Sequence, residues 1–63
     1  MDLADIVDRL AAVDHQLGRL EALRALAQTN ADSAEVRRLE EEIALLTKVR
    51  DELRDQLKGL GVG

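Results

Sequence analysis

Apolar residues recur at Leu3, Ile6, Leu10, Val13, Leu17 and Leu20, in alternating steps of three and four. That spacing keeps a stripe on one face of a 3.6-residue helix and is the seam of a coiled-coil-type helix. A second seam in the same steps runs through Val36, Leu39, Ile43, Leu46, Leu53, Leu57 and Leu60, with Arg50 filling one slot. Between the two lies QTNADSAE, a polar break. Asn30 suits the left-handed conformation that ends a helix, and Asp32 with Glu35 three residues on makes a capping box. Asp2 is the candidate N-cap at the front, and Lys58 followed by Gly59 supplies a basic last turn and a glycine stop.

The pattern predicts an all-α chain, an antiparallel two-helix hairpin of coiled-coil type that dimerises to a four-helix bundle. Helix 1 covers about 3–28, the turn 29–32, helix 2 about 33–58 and a frayed tail 59–63, all in a single domain, 1–63. A connection this short favours antiparallel neighbours. Folding the chain at the break sets Leu3 against Leu57, Ile6 against Leu53, Val13 against Leu46, Leu17 against Ile43 and Leu20 against Leu39. Together with Leu10 and Val36 these residues form the expected hairpin core. On the outer faces Asp5–Arg9, Arg37–Glu41, Arg38–Glu42 and Lys48–Glu52 are spaced to support each helix.

Composition makes self-association the natural remedy for a small core. A chain of 63 residues buries only about 60% of its unfolded surface, and short folds lean on disulfides, metals or oligomerisation. Cysteine is absent and there is one histidine, so a disulfide is excluded and no cofactor or metal is expected. Apolar residues make up 46% of the chain, without any aromatic, and the formal net charge is −4. No run is long enough to span a membrane, and Asp2 and Asp5 do not suit a signal peptide, so the expected setting is cytoplasmic.

Candidate chemistry is sparse. Ser33 lies in the turn and His15 half a helix away, so no nucleophile–base pair forms, and the chain is not expected to be an enzyme. Glu40, Glu41 and Glu42 are consecutive and point in different directions around a helix. Lys48, Arg50 and Arg54 form a basic band, interleaved by Asp51, Glu52 and Asp55. That interleaving and the lack of aromatics disfavour nucleic acid as a partner. Arg24 and Arg50 fall in seam slots, where their stems can cover the apolar stripe, and Asp14 is the expected partner of Arg50.

Gly18 sits inside helix 1 against helix propensity. It belongs to a stripe of Ala4, Ala11, Gly18 and Ala25, spaced by seven, with His15 and Ala22 on the same side. A stripe of small residues lets two helices approach closely. Ala4, Ala11, His15, Gly18, Ala22 and Ala25 are therefore the expected dimer seam. The expected partner is a second copy of the chain, with another helical protein as the other option.

Two resemblances follow from the residues. VDHQLGRLE (13–21) and DSAEVRRLEEEIALLTKVRDEL (32–53) resemble the YdcH-like family of small bacterial helical hairpins, with LEEEI acidic where that family is usually basic. This implies a helical hairpin, with no established activity to carry over. The short two-helix architecture and the acidic turn NADSAE are similar to the Rop-like RNA-binding modulators, which implies a dimeric four-helix bundle and, as the alternative function, nucleic-acid regulation. A designed hairpin would share the same pattern.

Overall fold

Asp2 begins the first helix because its carboxylate accepts the free N–H of Asp5 at 3.0 Å, satisfying a donor that has no partner within the helix. In the computed structural model, which describes residues 2–61, α1 spans Leu3–Thr29 and α2 spans Ser33–Gly59, each of 27 residues. The two pack against each other as a hairpin of 45 × 16 × 14 Å. Asp32 starts α2 in the same way, accepting the Glu35 N–H at 3.2 Å. The reciprocal half of the expected capping box is not made. Glu35 turns instead to Arg38, and the Asp32 N–H is already donated to Ala27 O at 2.9 Å.

That last bond explains how the chain reverses. Asn30 stays at φ −85°, and it is Ala31 that adopts the left-handed conformation, at φ 55°. Ala31 N–H donates to Gln28 O and Asp32 N–H to Ala27 O, the paired bonds of a Schellman motif. Asp32 therefore closes α1 through its backbone and opens α2 through its side chain. The stop at the far end is also displaced from its expected place. Gly59 is still helical, Leu60 is the cap, and Gly61, at φ 79°, takes the left-handed position with its N–H on Lys58 O. Of the expected frayed tail, Val62 and Gly63 lie outside the described residues.

The core is a single seam. Ile6, Leu17, Leu20, Ala27, Leu39 and Leu53 are buried, and Leu20, Ala27 and Leu39 form a cluster on which Val36, Ile43 and Leu46 pack. Leu10, Val13 and Leu57 are half-buried, as two helices can cover only one side of each other. Leu3 departs from the expected core. It is 44% exposed, and Leu60 beside the same open end is 49% exposed, because no third element covers that end. Ala27 joins the core although the seam of helix 1 reads clearly only as far as Leu20. The three-and-four spacing continues through half-buried Arg24 to reach it.

Candidate interaction surface

His15 and Ser33 do not come together: His15 is exposed in the middle of α1 and Ser33 is the first residue of α2. Among the described residues, no group of three or more His, Cys, Asp or Glu side chains could hold a metal ion. Among the described residues, no helix is long and apolar enough to cross a membrane. Lys48 and Arg54 are exposed, whereas Arg50 is half-buried in the seam, so the basic band is split between surface and core.

The charged surface differs from expectation in its details. Arg38 bonds Glu35 through Nε at 2.7 Å and Glu42 through a terminal nitrogen at 3.0 Å. The hydrogen bond that Arg38 donates to Glu35, the charge of Glu35 and that of Glu42 raise the guanidinium above its ordinary pKa. The other three spaced pairs, Asp5–Arg9, Arg37–Glu41 and Lys48–Glu52, are not closed to ion-pair distance. Arg50 does not reach Asp14 either. Its terminal nitrogen lies 3.7 Å from Asp51, and its Nε is buried with no hydrogen-bond partner.

Ala4, Ala11, His15, Gly18, Ala22 and Ala25 are all exposed, and a Cβ built on Gly18 would meet nothing within 4 Å. The hairpin itself thus makes no use of the small-residue stripe. Of the large exposed aliphatic residues, Val7 adjoins this stripe between Ala4 and Ala11, and four others lie on a different side. Leu23, Leu26, Leu45 and Val49 are 45%, 58%, 67% and 41% exposed. They line three shallow grooves that follow one another along the same side of the hairpin. Arg9, Ala12 and Val13 face Val49 and Leu53 across the first. Gln16 and Leu20 face Glu42, Leu45 and Leu46 across the second, and Leu23, Leu26 and Ala27 face Glu35, Arg38 and Leu39 across the third. Arg9, Gln16 and Leu23 are spaced by seven, as are Val49, Glu42 and Glu35, so each set is one row along its helix.

These aliphatic residues are absent from the expected seams. Their signal in the sequence was available: once the core stripe is subtracted, Leu23, Leu26, Leu45 and Val49 are apolar residues left without a role. The chain matches no protein-family model, no curated protein and no solved structure at a significant level. The two resemblances therefore rest on the quoted residues alone.

Proposed function

We propose that the chain is a self-associating helical hairpin, a structural or adaptor element with no catalytic chemistry, whose partner is a second copy forming a four-helix bundle with it. The observation that carries this reading is the unspent apolar surface. Among the described residues six aliphatic side chains are buried, while Leu3, Val7, Leu23, Leu26, Leu45, Val49 and Leu60 stay substantially exposed. The chain exposes 4614 Å² where a compact monomer of 7.0 kDa exposes about 4,000 Å². Burial of apolar surface is the dominant favourable contribution to association, and a core this small leaves apolar side chains uncovered. Sedimentation equilibrium tests the reading. A reversible dimer in the micromolar range is expected, and a strict monomer at high micromolar concentration would overturn it.

A further inference from the structure

We propose that the second copy docks on the grooved side, the one lined by Leu23, Leu26, Leu45 and Val49, with α1 of one hairpin lying on α2 of the other around a two-fold axis parallel to the helices. The inference rests on the self-association proposed above and names its surface and geometry. It assigns the contact to a different side of α1 from the outer stripe around Gly18.

Size and charge both point to a second copy. A side measuring 45 by 16 Å is of the extent that a standard interface covers on each partner, about 800 Å². The two edges of this side differ in charge. The α1 edge carries Arg9 and, in the row of Ala12 and Leu26, Arg19. Neither pairs with a carboxylate among the described residues. The α2 edge carries Glu42 and, one turn from Val49 in the row of Arg38 and Leu45, Glu52. Asp5 shares the row of Arg19, and Glu35 and Arg38 lie in the α2 rows. Within the helices the α1 edge thus holds two arginines against one aspartate and the α2 edge three glutamates against one arginine, net basic beside net acidic on the same side of the same chain.

Two arrangements bring this side against itself. Turning the copy about an axis across the helices lays α1 on α1 and α2 on α2, so that edges of like net charge face each other. Like charges across an interface cost free energy and suppress that arrangement. Turning it about an axis along the helices lays each α1 on the other chain's α2 without changing its level. The grooves show which stretches stand near each other across the hairpin: Arg9 to Val13 beside Val49 and Leu53, and Gln16 to Leu20 beside Glu42 to Leu46. Arg9 then comes opposite the partner's Glu52, and Arg19 opposite the partner's Glu42. Ala12 receives the partner's Val49 in the same geometry, where the small side chain leaves space for the branched one. Every helix remains antiparallel to its neighbours, as a four-helix bundle of short-looped hairpins requires.

Sedimentation equilibrium on the full chain, with helicity followed by circular dichroism, tests both surface and geometry. Leu26→Glu and Leu45→Glu are each expected to raise the dimer dissociation constant by at least about tenfold, and Gly18→Leu to leave it within about threefold. Arg9→Glu and Glu52→Arg should each weaken the dimer, and the double reversal should restore it, a recovery that misfolding cannot produce. A wild-type chain that never dimerises removes the self-association reading and this inference with it. A wild type that dimerises while Leu26→Glu and Leu45→Glu do so equally well overturns the surface alone. So does greater sensitivity at Gly18 than at Leu45. A double reversal no tighter than either single change overturns the α1-on-α2 geometry.

Discussion

Gly18 stands on the outer side of α1 with open space where its Cβ would be. Replacing it by alanine removes the backbone-entropy cost of glycine without meeting a neighbour, so Gly18→Ala should stabilise the protein by up to about 1 kcal/mol. Thermal and urea unfolding measure this directly. An unchanged or lower stability would mean the outer stripe is covered in solution. Ala31 presents the opposite case. Its φ of 55° costs an L-residue roughly 1–2 kcal/mol, held in place by the Schellman bonds of Ala31 and Asp32. Ala31→Gly relieves that strain and loses part of the gain to a more flexible unfolded chain. The expected net effect is stabilisation by up to about 1 kcal/mol, read from the urea midpoint at constant m-value.

Each helix is held in place by its seam rather than by its surface charges. Leu39 is 1% exposed inside the cluster with Leu20 and Ala27, whereas Leu45, six residues on, is 67% exposed. Leu39→Ala should therefore cost about 2–4 kcal/mol, the range for truncating a buried aliphatic side chain. Chemical denaturation at fixed protein concentration gives the value, and coupling to Leu20→Ala in a double-mutant cycle checks that the two share one cluster. Arg50 is the weak slot of α2. Its stem occupies the seam while its buried Nε lacks an acceptor, and an unsatisfied buried donor costs about 1–3 kcal/mol. Arg50→Leu should continue the Leu46–Leu53 stripe and raise stability by about 1 kcal/mol or more, again by urea unfolding. A loss would show that the guanidinium finds its partner across an interface.

At the scale of the molecule, a single seam between two helices leaves the hairpin short of buried surface, and its stability should depend on how much of it is dimeric. Because a partner that binds only the folded chain stabilises it by mass action, the melting temperature should rise with protein concentration. Scanning calorimetry or circular dichroism melts over a hundredfold concentration range will show the rise. Superimposable melts would mean that the hairpin stands alone, with its exposed aliphatics simply solvated.

Helix content, the two N-caps, the polar break and most of the seam were legible in the sequence, because they depend on local physics. A three-and-four spacing has one helical reading, and Asp2 and Asp32 satisfy donors only three residues away. What the sequence could not determine was the outcome of competition among several acceptable residues. Asn30 and Gly59 both suit a helix end, yet the left-handed positions fell to Ala31 and Gly61, because the bonds that close a helix depend on where the chain goes next. Ala27 became core and Leu3 became surface because burial depends on what covers a position, not on its hydropathy. Arg50 lost its expected partner in the same way, since Asp14 remained at the surface. The register of the two helices, which only packing decides, set the levels along the grooved side and so brought scattered residues such as Leu23, Leu26, Leu45 and Val49 onto one surface.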